Sequence, residues 1–317
     1  MQMIAAKQSF IATNTNGSHL KCADDPSTSA VMNPAPPTSN PFPIPGACNL
    51  RGDYSRCRPD YTVDQDYSLY TAADQELWRR LYARQAKLIR QYAAPEFIAG
   101  VDAFHMADAI PRFDQANELL ARATGWQLVA VPGLIPNDAF FLHLAEKRFP
   151  VSVWLRTPEE FEYLVEPDVF HDFFGHVPLL SNPVFADYMQ VYGNKGREAI
   201  ETDSVTMLSR FYWYMVEFGL INTAEGLRAF GAGILSSGGE TVYSIESPAP
   251  HRVAFNLGRV LKTDYRIDRY QDTYFVLDSF DQLFRETSRD LRPLYRAAKQ
   301  SPTIPPTQVF ADDRKYP

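Results

Sequence analysis

Cysteine, long apolar runs and surplus positive charge are what this 317-residue sequence has little of. Its three cysteines, Cys22, Cys48 and Cys57, all lie towards the N-terminus. An odd number with no CxxC spacing provides neither a disulfide framework nor a thiolate metal site, and it fits a reducing cytoplasm. No stretch approaches the roughly 20 apolar residues of a membrane span. The opening MQMIAAKQSFIATNTNGS is polar and lacks the apolar core of a secretory leader. With 38 acidic against 31 basic residues, the formal charge is −7, which speaks against a nucleic-acid partner. Internal repeats are missing too, which excludes solenoids and propellers. What remains is a chain with 45% hydrophobic residues, ample for a folded core. A cytoplasmic protein with no membrane or nucleic-acid partner is expected.

Composition divides the chain. Residues 1–60 are rich in Ser, Thr, Asn and Pro, with six prolines between Pro34 and Pro45. Proline fixes φ and removes backbone donors, so a disordered tail is expected there. Its Asn16-Gly17-Ser18 sequon and Arg51-Gly52-Asp53 tripeptide have meaning only outside the cell. Residues 61–300 carry the ordered pattern, and residues 301–317 return to a polar C-terminal tail. Thr71 and Asp74 form a capping box ahead of Leu77, Leu81, Leu88 and Tyr92, with Arg80, Arg84 and Lys87 on a solvated face. A second helix runs from Asp114 to Thr124 and stops at Gly125. Leu128–Val131 reads as a strand, Phe140–Lys147 as a helix, and Val151–Arg156 as an alternating strand. Asn182-Pro183 starts a helix that Gly193 ends. The longest amphipathic run is Asp203–Leu220, Tyr270–Leu277 is strand-like, and Ser279–Arg289 is a capped helix. The fold class is mainly α with a small β component (α+β), in a single domain.

Chemistry concentrates in three segments. In Glu166-Pro167-Asp168-Val169-Phe170-His171-Asp172-Phe173-Phe174-Gly175-His176-Val177-Pro178, Pro167 suits a helix's first turn and Pro178 its end. The two histidines are five apart, about 140° on a straight α-helix, so they meet at one ion only if the helix unwinds near Gly175. Glu217 sits among Trp213, Tyr214, Leu220 and Ile221 with no basic neighbour at helical spacing. A buried carboxylate without a cation costs several kcal/mol, about what a metal would relieve. Two imidazoles and a carboxylate suit a non-haem Fe(II) oxygenase, a catalytic zinc, or a structural clamp between helices. The third segment, Phe230-Gly231-Ala232-Gly233-Ile234-Leu235-Ser236-Ser237-Gly238-Gly239-Glu240, is no phosphate cradle, because no Gly-Lys-Ser/Thr follows. It reads as a close-packed wall beside the metal, with Ser236 or Ser237 orienting a ligand histidine. Arg156 offers a bidentate fork for a carboxylate, although a surface arginine is the simpler reading of the sequence.

These segments, with Val131-Pro132-Gly133-Leu134-Ile135-Pro136 before them, resemble the pterin-dependent aromatic amino acid hydroxylases in both residues and order. The short bacterial phenylalanine 4-hydroxylases are the most similar branch. The resemblance implies Fe(II) held by His171, His176 and Glu217, which are thereby also the catalytic residues. It implies a tetrahydropterin stacked on Phe140, with Gly133, Ile135 and Asn137 close by and Asp172 and Tyr212 lining the same side. Arg156 would bind the substrate carboxylate, and Pro167, Trp213, Phe218, Gly233 and Ser236 would line the substrate pocket. The activity implied is O₂-dependent hydroxylation of L-phenylalanine to L-tyrosine, through a peroxypterin species and an Fe(IV)-oxo. Tryptophan or tyrosine hydroxylation within the family is the alternative, and a His-His-Glu zinc hydrolase stands outside it. Asp172 replaces a glutamate, and Leu164 a threonine, of the animal members. Because residues 1–60 are compositionally unlike a folded regulator and no heptad run follows Gln300, no regulatory domain and a monomeric state are expected.

Overall fold

The computed structural model describes residues 50–317 of the chain. Cys22, Cys48, the sequon and the proline cluster lie outside the described residues. Helices dominate, and two small sheets hold the rest together. The capping box forms as the sequence predicts: Asp74 N donates to Thr71 Oγ1 and Thr71 N to Asp74 Oδ2. The helix that follows, Ala72–Tyr92, buries Leu77, Trp78, Leu81, Gln85 and Ile89. Leu88 is only partly covered, because Ile89 takes the inner position. Arg80 and Lys87 are exposed as expected, but Arg84 is not solvated. It reaches the carbonyl of Phe161 at 3.1 Å and Glu162 at 3.2 Å.

β1 (Gln127–Val131) and β2 (Arg148–Ser152) pair in parallel, joined by the helix Asn137–Ala145. The strand expected over 151–156 therefore starts earlier and stops at Ser152. Beyond it the backbone leaves β1 for a different partner: Arg156 N donates to Asp168, and Val169 N to the Trp154 carbonyl. The second sheet has order β4-β3-β6-β5, with β3 Leu220–Thr223, β4 Gly226–Ala229, β5 His251–Ala254 and β6 Thr273–Leu277. A βαβ unit and a mixed sheet inside a helical shell agree with the α+β expectation.

The helix starting at Pro183 does not stop at Gly193; it runs to Glu201. Gly193 and Gly196 face the helix Asn137–Ala145, where a Cβ would lie 2.4 Å from Ala145 N and 2.0 Å from Phe141 Cγ. Their role is close approach between helices, not termination. The run expected over 203–220 divides into an α-helix Val205–Tyr212, a π-helical turn Trp213–Glu217 and the start of β3.

Both ends of the described chain are tied down. Arg51 pairs bidentately with Glu160, and Tyr54 donates to the Leu134 carbonyl. Asp53 caps the turn Tyr54–Arg56, so Arg51 and Asp53 of the tripeptide are engaged within the chain. At the other end, residues 301–317 pair with the body of the protein. Ile304 bridges Thr263, and Lys315 bridges Val253 on the outer edge of β5. Composition predicts loose tails over these segments, because it does not register a few anchoring side chains.

Candidate metal centre and aromatic pocket

The two histidines come together because the helix widens, not because it unwinds. Phe170–His176 is a π-helix, whose i→i+5 hydrogen bonds bring residues five apart back towards one face. Pro178 does not end it, for the chain continues as the α-helical turn Val177–Leu180 with Pro178 in its first turn. Gly175 contributes space rather than unusual dihedrals: a Cβ there would stand 3.0 Å from Ala232. The aromatic residues of the segment anchor it. Phe170 and Phe174 stack at 4.9 Å, and Trp78 meets Phe170 edge-on at 5.2 Å. Glu217 ends the second π-turn, so all three candidate ligands sit on widened helices.

His171, His176 and Glu217 present ligand atoms that all lie within 4.8 Å of one another. His176 Nε2 is 3.0 Å and His171 Nε2 3.4 Å from the Glu217 carboxylate, and the two nitrogens are 3.3 Å apart. Ligands each roughly 2.1 Å from a shared ion stand about 3 Å from one another, so this donor set fits a metal. Glu217 is 1% exposed. Burial disfavours its charge, yet the imidazoles outweigh that and hold the carboxyl well below its ordinary range. Burial likewise opposes charge on His171, but Glu217 leads the acidic groups that raise it.

Ser236 Oγ lies 2.9 Å from His171 Nδ1, which turns Nε2 towards Glu217. The sequence left Ser236 and Ser237 open for this role; Ser237 instead caps the helix Gly238–Glu246. Asp168, fully buried, accepts from His171 N, Arg156 N, Arg156 Nε and Arg156 Nη2. Burial works against its ionisation, and Arg156 holds its pKa down nonetheless. Arg156 is thus not the surface residue that the sequence alone favours: it is 4% exposed and locked on a buried carboxylate. Asp168, quoted in the motif without a role, joins the arginine fork to the histidine helix.

A cavity of about 430 Å³ opens beside the metal cluster. Arg156, Pro167, Trp213, Phe218, Gly233 and Ser236, the whole expected substrate set, line it together with His171 and Glu217. Trp213 lies 4.7 Å from Phe218 and stacks on Tyr265 at 4.3 Å, building an aromatic wall. Gly233 keeps that wall close, since a Cβ there would meet the Phe218 ring at 2.8 Å.

The expected pterin residues do not line this cavity. Phe140 meets Tyr212 edge-on at 5.6 Å, and Tyr212 lies 6.2 Å from the His176 ring. Asp172 accepts from Ser152 N at 2.8 Å, and burial pushes its carboxyl up. Gly133 packs against Arg51 and Tyr54, Ile135 is buried, and Asn137 opens the helix that carries Phe140. Asn137 Oδ1 is buried and, among the described residues, has no hydrogen-bond partner. An aromatic face and an unpaired amide oxygen on one helix fit a flat heterocycle that donates hydrogen bonds.

Glu240, Gln271 and Tyr274 have no role in the sequence-based expectation. Glu240 and Gln271 line the cavity, and Tyr274 OH donates to Glu240 at 2.7 Å. The available signal was an acidic residue directly after a run of glycines and serines, a position with no basic neighbour at helical spacing.

The profile of the family described as biopterin-dependent aromatic amino acid hydroxylase matches residues 58–297. A phenylalanine-4-hydroxylase of Ralstonia nicotianae is 53% identical over 262 residues, 82% of this chain and 84% of that protein. A phenylalanine-4-hydroxylase of Chromobacterium violaceum is 54% identical over 237 residues, 74% and 80% of the two chains. The crystal structure of phenylalanine hydroxylase from Chromobacterium violaceum with bound oxidised Fe(III) superposes with a TM-score of 0.79. It is 51% identical and covers 81% of this chain and 94% of that one.

Proposed function

The chain belongs to the biopterin-dependent aromatic amino acid hydroxylases, iron- and pterin-dependent enzymes, and from that premise we propose that it converts L-phenylalanine to L-tyrosine. The observation that carries the proposal is convergence. Two imidazoles and one buried carboxylate form a cluster whose His171 and Glu217 line an aromatic cavity that also holds a buried arginine. Neither the zinc-hydrolase nor the structural-clamp reading calls for such an aromatic cavity.

His171, His176 and Glu217 would hold the iron, and Phe140, Tyr212, Asp172 and the backbone from Gly133 to Asn137 would hold the tetrahydropterin. Iron and pterin together supply the activation of O₂, one oxygen atom entering the substrate ring and the other leaving with the pterin. The rest is the work of this chain's own side chains. Arg156, with Nη1 unbonded among the described residues, takes the substrate carboxylate. Asp168 keeps the guanidinium plane fixed, which limits where the ring can lie. Trp213, Phe218, Pro167 and Gly233 hold the ring and keep water from it. Ser236 fixes the His171 ring.

The chain acts as a monomer in the cytoplasm. Its own segments cover both edges of the four-stranded sheet, residues 314–316 on β5 and Ala93–Ala94 beside Ala229 of β4. No described helix is long and apolar enough to cross a membrane.

The test is product formation by Fe(II)-loaded protein given O₂, tetrahydropterin and one aromatic amino acid at a time. Tyrosine from phenylalanine, dependent on both iron and pterin, is the expected result. Preferential turnover of tryptophan or tyrosine would reassign the substrate, and activity with zinc and no pterin would overturn the proposal.

A further inference from the structure

An α-amino acid at neutral pH carries two opposite charges, and a site that recognises it through the carboxylate alone leaves an ammonium to be desolvated unpaired. The carboxylates lining the cavity narrow the choice of partner. Glu217 faces the two histidines, Glu162 pairs with Arg84, and Asp268 pairs with Arg266. Glu240 has no cation partner among the described residues, although it is only 6% exposed.

Its two oxygens are used unequally. Oε1 accepts from Tyr274 OH at 2.7 Å and from Gln271 N at 3.2 Å. Oε2 makes no hydrogen bond within the described protein and is not sealed off from the cavity that the residue lines. The position is also firmly held. Ser237 caps the first turn of the helix bearing Glu240, and Gln271 Oε1 accepts from Trp213 Nε1 at 2.9 Å. One residue, Gln271, therefore supports both the carboxylate and the aromatic wall.

We infer that Glu240 is the acceptor for the substrate's α-ammonium, with Oε2 and Arg156 Nη1 forming the two poles of a zwitterion clamp across one cavity. This rests on the hydroxylase reading and adds to it a specificity determinant: the enzyme selects free amino acids over aromatic acids that lack the amine. The titratable groups around Glu240 include the phenols of Tyr163, Tyr243, Tyr270 and Tyr274, which stay neutral near pH 7 and cannot replace an ammonium, and the Arg84 guanidinium beside Gly238 is paired with Glu162. In keeping with this, burial pushes the Glu240 carboxyl up to about 7, a cost that an incoming cation relieves.

The experiment is calorimetric binding to the full-length, Fe(II)-loaded protein without O₂, using L-phenylalanine and 3-phenylpropanoate. Wild type should prefer L-phenylalanine. Glu240→Gln should weaken L-phenylalanine roughly 10- to 100-fold, the loss of one charge-assisted hydrogen bond, and leave 3-phenylpropanoate within about twofold. Equal weakening of both ligands, or of neither, overturns the inference and leaves the hydroxylase reading intact. A wild-type protein that binds neither ligand overturns both. If Glu240→Gln does not fold, the wild-type ratio decides. Preference for L-phenylalanine should rise as pH increases through about 7, and a flat ratio overturns the inference.

Discussion

Two side chains of this site act through others, and each has a measurable consequence. Ser236→Ala removes the contact that turns His171 towards Glu217. Losing such an outer partner typically lowers metal affinity or activity roughly 10- to 100-fold, and that is the expected range in an Fe(II) titration. Asp168→Ala is a different kind of loss. It strips a buried guanidinium of its counter-charge and frees the amide of His171. Breaking a buried pair by removing one partner costs about 3–5 kcal/mol, so chemical denaturation should show a markedly less stable protein. At this scale the candidate ligands stand out because histidine and glutamate in apolar surroundings call for an explanation. The partners of Asp168 and Glu240 do not, since Arg156, Tyr274 and Gln271 come from other elements, and no local pattern in the sequence links them.

At the scale of elements, glycine is where sequence and structure part. Gly193 reads as a helix end, yet the helix Pro183–Glu201 continues through it and through Gly196. Local propensity would make alanine better than glycine by about 1 kcal/mol in a helix interior. The packing term is larger and of opposite sign, because a Cβ at Gly196 would stand 2.0 Å from Phe141. Gly196→Ala should therefore destabilise, by about 1–3 kcal/mol in urea unfolding, where propensity alone predicts a gain. The π-helices around His171, His176 and Glu217 teach the same lesson. A five-residue spacing signals that a straight α-helix fails, but not whether the chain unwinds or widens. Tertiary packing decides, here through Phe170, Phe174 and the close approach of Ala232 to Gly175. The capping box of Thr71 and the strand before Pro132, by contrast, rest on local rules and were readable directly.

Across the whole molecule, buried ionisable groups connect function with stability. Glu240 has a folded-state pKa raised to about 7, above its ordinary 4.5. A carboxyl raised in this way contributes stability that is fully present at low pH and is lost as pH rises towards 7. In the substrate-free protein, Glu240→Gln should match wild type near pH 4.5 and gain on it by on the order of 3 kcal/mol by pH 7 and above. Parallel denaturant titrations at the two pH values measure this difference. The family motifs and the fold class were legible within residues 58–297, whereas the anchoring of residues 51–60 and 301–317 was not. A few contacts, such as Arg51 with Glu160 and Lys315 with Val253, outweigh a composition suited to loose chain.

Hydroxylation by this chain depends, in the proposed function, on iron held by His171, His176 and Glu217. The most direct measurement is tyrosine formed from L-phenylalanine by Glu217→Gln beside wild type, with Fe(II), O₂ and tetrahydropterin saturating for wild type. The substitution keeps the side chain's size while removing the charge that the two imidazoles face. A variant that folds like wild type but loses most of its iron binding and hydroxylation is the predicted result. A folded variant that forms tyrosine at the wild-type rate would contradict the account.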